Sequence, residues 1–329
     1  MSEINIQDID FFLMWEINEK RNNVKSKEDI QLLEDVYDRY SDHYGVFLEL
    51  CGKIKDIQET KNERNLNKED AEIYYKFLFS KKVHDKKVPR TLFKYTKIDC
   101  NLYKSLKSGY LWFSKFKDFN DPFEGIDAVN YENIKEPDLD EYSKETAKKF
   151  GKIINPENFT FDQKVSHLKN VIKESIDDLY VFSLTGKPKN TVMWGNYSNS
   201  FKGVCLELDP YEDIVLFNSL HKVKYVDDYP EKIDYLKKDV VEYFETLACT
   251  KSKDWKYENE YRSVKYKINE NKQYFRKSVL KSIIFGCKTP EKDKQNIRKI
   301  LSVKNGYNVE FKKVQTKENS FLLEIVADS

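Results

Sequence analysis

The chain has 329 residues, enough to bury a core without staples, and its length suggests about two domains or one domain with an appended helical piece. It is 40% hydrophobic, 34% charged and 14% aromatic, with 22 Tyr and 21 Phe, so a ring-rich core under a densely charged surface is expected rather than disorder. Lys+Arg 57 against Asp+Glu 56 leaves +1, which excludes the global basic excess typical of nucleic-acid binders. Cys51, Cys100, Cys205, Cys249 and Cys287 are scattered and form no C-x-x-C pair, and the four histidines do not cluster with them. Reduced cysteines and no metal are therefore expected. The first residues lack a basic and an apolar signal region, and no run of 18 apolar residues occurs, so the chain is expected to be cytoplasmic, with no membrane as partner.

Residues 1–80 read as helices. Ile30, Leu33, Val36, Tyr37, Tyr40, Tyr44, Phe47, Leu48 and Cys51 recur at three and four, one apolar stripe between Asp29 and Ile54. A second helix is expected over Lys68–Ser80, with Asn65-Leu66-Asn67 between the two. This predicts an N-terminal helical hairpin region over 1–85. Its stripe is explained by core packing, or by a protein partner or self-association. The run Lys81–Pro89 is a charged connector, and an α+β domain follows over 86–329.

In that domain, Arg90–Tyr95 reads as a strand, Leu102–Lys107 as a helix closed by Gly109, and Tyr110–Ser114 as a strand. The stretch Asn133–Ser175 reads as a polar, helical insertion rather than core. Leu179–Leu184 is a buried strand, Thr191–Ser198 a short helix, Gly203–Leu208 a strand and Ile233–Lys251 a long helix. A strand follows from near Glu260 through Val264 to Tyr266. Ile283-Ile284-Phe285 then runs into a turn and a helix from Glu291, and strands over Asn308–Val314 and Phe321–Val326 end the chain. Short strands unevenly separated by helices suit α+β better than a regular βαβ wind. Neither G-x-G-x-x-G nor G-K-[ST] occurs.

Three polar-aromatic motif groups carry the candidate chemistry. The first is Trp112-Phe113-Ser114 followed by Phe119-Asn120-Asp121-Pro122-Phe123-Glu124-Gly125. Asn-Asp-Pro is a strong turn signal, and Asn120 and Asp121 either shape that turn or bind a polar ligand beside Trp112. The second joins Ser183 and Thr185 to Trp194 and Tyr197, which share one helix face and serve either as core or as a stacking platform. The third is Trp255–Arg262, in which Glu258 and Glu260 are two apart and, in extended chain, project to one side. Such a pair repels and suits acid/base work, a sugar hydroxyl or a metal, unless Arg262 offsets it. A surface ion-pair ladder is the plain alternative, against which the rings of Trp255 and Tyr257 weigh. A metal nuclease built on Asp121, Glu124, Glu258 and Glu260, helped by Lys265 or Lys267, is a further alternative. No G-x-S-x-G elbow is present.

Taken together, Leu92-Phe93-Lys94-Tyr95, Asn120–Glu124, Met193-Trp194 with Tyr197, Gly203–Glu207 and Trp255–Arg262 resemble a widespread bacterial domain family of unknown function, over roughly Thr91–Gly286. More distantly, the order of these motifs resembles the ADP-ribosyltransferases. That resemblance implies a split sheet with inserted helices and NAD as the substrate. It implies Arg90 or Lys94, with Tyr95, at the first-strand position. Ser183 and Thr185 fall at the second, and Glu258-Asn259-Glu260 form an E-x-E motif with Glu260 as the catalytic analogue and Glu258 beside it. Trp112, Ser114, Asn120, Asp121, Trp194, Tyr197 and Arg262 would complete the nucleotide site. A bacterial toxin or anti-phage effector acting on a macromolecular acceptor is what the resemblance implies. A non-catalytic nucleotide- or peptide-binding module is the alternative from another class.

Overall fold

A computed structural model describes residues 88–329 apart from 126–128, 150–153, 218, 230–231, 237–239, 267, 269 and 329. The expected N-terminal hairpin and most of the charged connector lie outside the described residues. In chain order the elements begin with β1 (Leu92–Thr96), α1 (Cys100–Ser108), β2 (Tyr110–Trp112) and β3 (Ser114–Lys115). Next come α2 (Glu136–Lys149), α3 (Phe161–Asp177), β4 (Leu179–Thr185), α4 (Thr191–Tyr197), β5 (Val204–Leu208) and α5 (Ile214–Phe217). The chain continues through β6 (Leu220–Lys222), β7 (Lys224–Val226), α6 (Val240–Ala248), β8 (Thr250–Ser252) and β9 (Glu260–Tyr266). It ends with β10 (Lys272–Tyr274), β11 (Leu280–Phe285), α7 (Glu291–Ile300), β12 (Glu310–Thr316) and β13 (Leu323–Ala327). The class is α+β, with a mixed sheet.

Local chemistry accounts for several boundaries. Asp99 caps α1 by accepting from the N–H groups of Asn101 and Leu102, and Gly109 closes it at φ 70 and ψ 45, where a side chain would be strained. Thr160 and Gln163 form a reciprocal capping box on α3. The Asn-Asp-Pro turn forms as expected, with Asp121 Oδ1 accepting from Phe123 N–H at 3.0 Å.

The main sheet runs β13-β12-β11-β5-β1-β4-β9-β6, with β3 also on β4. Its pairs are antiparallel except β11–β12, which are parallel and joined through α7. The seam between β1 and β4 is unusual. β1 pairs with β5 over five residues, and β4 with β9 over seven, yet β1 meets β4 only at Phe93–Thr185. The ladder therefore opens beside that pair. On one side of the seam Tyr95, Met193, Trp194, Cys205, Ile284, Val314 and Leu323 form a hydrophobic cluster. On the other, Leu168, Ile172 and Ile176 of α3 pack with Leu179 and Val181 of β4 and Tyr243 of α6.

Four expectations need correction. The polar stretch over Asn133–Ser175 does hold two helices, but it belongs to the core, because Leu139, Leu168 and Ile172 are buried in it and Ile176, just past its end, continues the stripe at every fourth residue. The helix expected over Ile233–Lys251 is described over Val240–Ala248 and does not reach either expected end; Ile233 bridges Val129, and Lys251 lies in β8. The strand expected over Tyr110–Ser114 breaks at Phe113, so that β2 pairs with β10 and β3 with β4. The two-residue spacing of Glu258 and Glu260 is not extended either: Glu258 ends a short 3-10 helix and Asn259 is left-handed. Asn tolerates that conformation better than most residues.

The loop after α4 places Asn199, Ser200 and Phe201 all at positive φ, 50°, 55° and 69°. Such residues cost roughly 1–2 kcal/mol each. Anchors hold the loop: Ser200 N–H donates to Gly195 O, Gly203 N–H donates to Ser198 O, and Phe201 stacks on Trp194. A Cβ on Gly203 would lie 2.3 Å from Thr96 O, so only glycine lets this loop meet β1. Replacing the exposed Ser200 by Gly keeps its backbone bond and removes the Cβ strain. Urea unfolding should show Ser200→Gly more stable by up to about 1 kcal/mol. A less stable variant would show that the Ser200 side chain holds the loop.

Candidate active site

The opening at the β1–β4 seam is the mouth of a cleft of about 320 Å³. Strand β1 gives it Lys94 and Tyr95, β4 gives Ser183 and Thr185, and β9 gives Glu260 and Arg262. Tyr197 comes from α4, Glu258 from the helical turn before β9, Lys251 from β8, and Trp112, Ser114 and Asn120 from the region after α1. The volume lies at the small end of ligand sites, suited to a nucleoside-sized group.

The floor is a buried charge cluster. Arg262 is fully buried, and its Nε and Nη2 each donate at 2.9 Å to the two oxygens of Glu260. This is a bidentate, charge-assisted pair. Nη2 also donates to Glu124 Oε1, and Nη1 donates to Ala248 O at 2.7 Å, satisfying a carbonyl at the C-terminus of α6. Lys251 Nζ donates to Glu258 Oε2 at 2.8 Å and lies 3.5 Å from Glu260 and 3.7 Å from Glu124. Its ammonium stands 4.3 Å from the centre of the Trp255 ring, which gives that ring a role. Tyr197 donates its hydroxyl to Glu258 Oε1, and the Thr185 hydroxyl donates to the Glu258 carbonyl.

Protonation follows from these contacts. Burial alone would raise the Glu260 pKa, but Arg262 and Lys251 outweigh it and hold the carboxyl down at about 2, with a bond from Ser183 in support. Burial raises the Glu124 carboxyl and wins over the same two cations. Burial also pushes Lys94 below the ordinary lysine value, against the pull of Glu260 and Glu258. Of the three cations lining the cleft, Lys94 has no ion pair among the described residues; its ammonium stands 5.0 Å from the Phe182 ring centre. Burial, then Glu258, raises Tyr197, so it stays a donor.

The cleft thus gathers Lys94, Tyr95, Trp112, Ser114, Asn120, Ser183, Tyr197, Glu258, Glu260 and Arg262 among the expected residues. Three expected residues lie elsewhere. Arg90 faces Asp209 at 3.7 Å and the Tyr211 ring, near the far end of β1. Trp194 is wholly buried, edge-on to Tyr95, and donates to Pro188 O, so it is core and not a stacking platform. Asp121 lines a neighbouring cavity. Sequence reasoning missed Lys251, which it had placed in a helix. Of the acidic set considered for a metal, Glu124, Glu258 and Glu260 are cross-linked to Arg262 and Lys251, and no group of His, Cys, Asp and Glu suited to a metal occurs among the described residues. Lys265 stands over Phe113 and lines no part of the cleft, and Lys267 lies outside the described residues. Cys100, Cys205, Cys249 and Cys287 are free thiols. No helix among the described residues is long and apolar enough to cross a membrane.

Two outcomes follow. Arg262→Met leaves Glu260 and Glu124 buried without their main counter-charge, and should lower unfolding free energy by about 3–5 kcal/mol in urea titration; a loss below about 1 kcal/mol would mean that the cluster is not a structural keystone. The Glu260 carboxyl titrates near 2 folded against an ordinary 4.5, so its contribution is complete above about pH 4.5 and lost as pH falls towards 2. Acid titration of stability should therefore be flatter across that window in Glu260→Gln than in the parent chain; equal slopes would contradict the pairing.

Residues 193–263 match the family model described as Protein of unknown function (DUF2971). This stretch holds α4 from Met193 onward, Lys251 and the Glu258–Arg262 segment, and leaves β1, β4 and the Asn120–Glu124 turn outside. No curated protein and no solved structure gives a significant match.

Proposed function

We propose that the chain is an ADP-ribosyltransferase-like, NAD-consuming enzyme. One observation carries this reading: Lys94 of β1, Ser183 of β4 and Glu260 of β9 come from three strands and line one cleft, at the seam where the sheet nearly divides. The near-division is in keeping with the split sheet of that superfamily.

In this reading the bond between nicotinamide and C1′ of its ribose breaks. The bonding electron pair leaves with nicotinamide, which departs neutral, and C1′ passes through an oxocarbenium-like state. Glu260, ionised at every physiological pH, faces that developing positive charge and stabilises it in a water-poor site. Arg262 and Ser183 hold its orientation; Tyr197 and Lys251 hold Glu258 beside it. Lys94, free of any carboxylate partner among the described residues, meets the pyrophosphate, and the half-exposed Trp112 stacks on an aromatic ring of the dinucleotide. Water or a macromolecular nucleophile then attacks C1′ and loses its proton. A toxin or anti-phage effector role suits an enzyme of this kind and is part of the proposal.

A second reading, a non-catalytic nucleotide-binding module, draws on one observation. Both carboxylates are already bonded within the protein, Glu258 to Tyr197 and Lys251, and Glu260 to Arg262. The two readings separate on incubation of the chain with NAD labelled in the adenosine, with and without bacterial lysate. Nicotinamide release or label transfer should fall by about a hundredfold or more in Glu260→Gln. Trp112→Ala, at an exposed position that leaves the fold intact, should raise the KM for NAD with little change in kcat. Saturable NAD binding without turnover would favour the binding module, and no NAD binding at all would end the NAD-consuming reading. Magnesium-dependent cleavage of nucleic acid would revive the nuclease.

A further inference from the structure

A second cavity of about 370 Å³ is lined by Asp121 and Glu124 and shares Lys251 with the first. Two carboxylate oxygens at its inner end lack partners. Asp121 Oδ2 and Glu124 Oε2 are both buried and accept no hydrogen bond, while the sister oxygens are engaged by Phe123 N–H and by Arg262. Asp121 is only 4% exposed and the Glu124 side chain only 2%. A buried acceptor left unmet costs roughly 1–3 kcal/mol, and more when charged. Arg262 and Lys251 both stand at Oε1 of Glu124, and neither bonds Oε2.

The rest of the cavity has a different character. Val226 and Leu247 give it apolar walls. At the exposed rim stand Asp228 and Asp254, neither ion-paired among the described residues. From the inner end outward, the order is buried carboxylates, apolar wall, solvated carboxylates. A cation on a short hydrocarbon chain, carrying a second cation at its far end, matches that order. A neutral ligand would leave the orphan oxygens unmet, and an anion would be repelled at both ends.

We infer that this cavity binds a linear alkyl diamine, with one ammonium donating to Asp121 Oδ2 and Glu124 Oε2, the methylenes against Val226 and Leu247, and the second ammonium at Asp228 and Asp254. The site is separate from the proposed NAD chemistry and does not rest on it.

Titration calorimetry of the full chain, without NAD, tests the site with 1,5-diaminopentane, n-pentylamine and 1-pentanol. The buried end is worth more than the exposed one. The diamine should bind a few-fold tighter than the monoamine, and the monoamine about tenfold or more tighter than the alcohol. Asp121→Asn keeps the turn-forming oxygen and should weaken diamine binding about tenfold at unchanged Tm. Asp228→Asn, at an exposed position that cannot upset folding, should weaken it a few-fold and leave the monoamine unaffected. Equal binding of amine and alcohol, unaltered affinity in a folded Asp121→Asn, or no heat with any of the three would overturn the assignment. Failure of NAD turnover would leave these results as they stand.

Discussion

Everything near the cleft depends on one buried guanidinium. Arg262 has no contact with solvent, and its bonds reach β9 itself, the turn that carries Glu124 and the last turn of α6. Desolvating a charge of this kind costs several kcal/mol unless every donor finds a partner. The partners here are two carboxylates and a helix-terminal carbonyl, and through Glu124 and Glu260 the network extends to Lys251 and on to Glu258. Segments far apart in sequence are thus fixed by charge geometry rather than by apolar packing. The consequence is a cleft floor whose ionised groups cannot drift, a condition for electrostatic work on a bound ligand.

The sheet supplies the opening. A continuous ladder between β1 and β4 would bring their side chains into ordinary cross-strand contact and leave no room. A single registered pair, Phe93–Thr185, keeps the sheet connected while the strands separate beside it. Residues of both hydrophobic clusters line the gap, Met193 and Tyr95 from one and Val181 from the other. The same turn that sends Glu124 towards Arg262 sends Asp121 into the second cavity, so Asn120–Glu124 serves both spaces.

Much of the fold was legible in the sequence. The strands that bound the cleft are runs of β-branched and aromatic residues, the cap at Asp99 and the stop at Gly109 follow local rules, and the Asn-Asp-Pro turn declares itself. Strands of three residues, β6, β7, β8 and β10, are too short to show periodicity and depend on distant partners. Residues 233–251 carry apolar side chains at spacings that fit a helix throughout, and tertiary pairing ends the helix at Ala248 instead. In the site, the polar members were visible because carboxylates among rings stand out. Trp194 and Tyr197 share a helix face on spacing alone; the burial of Trp194 against Tyr95 and Phe201 was decided by contacts no local pattern encodes. Lys251 was invisible for the same reason, since its role appears only when β8 is laid against the Glu258 turn.

The most direct test of the central claim is a structure of the chain with a non-cleavable carbocyclic NAD analogue. The account predicts the analogue at the β1–β4 seam, with the nicotinamide ribose against Glu260 and the pyrophosphate within reach of Lys94. An analogue bound elsewhere, or none bound at saturating concentration, would contradict it.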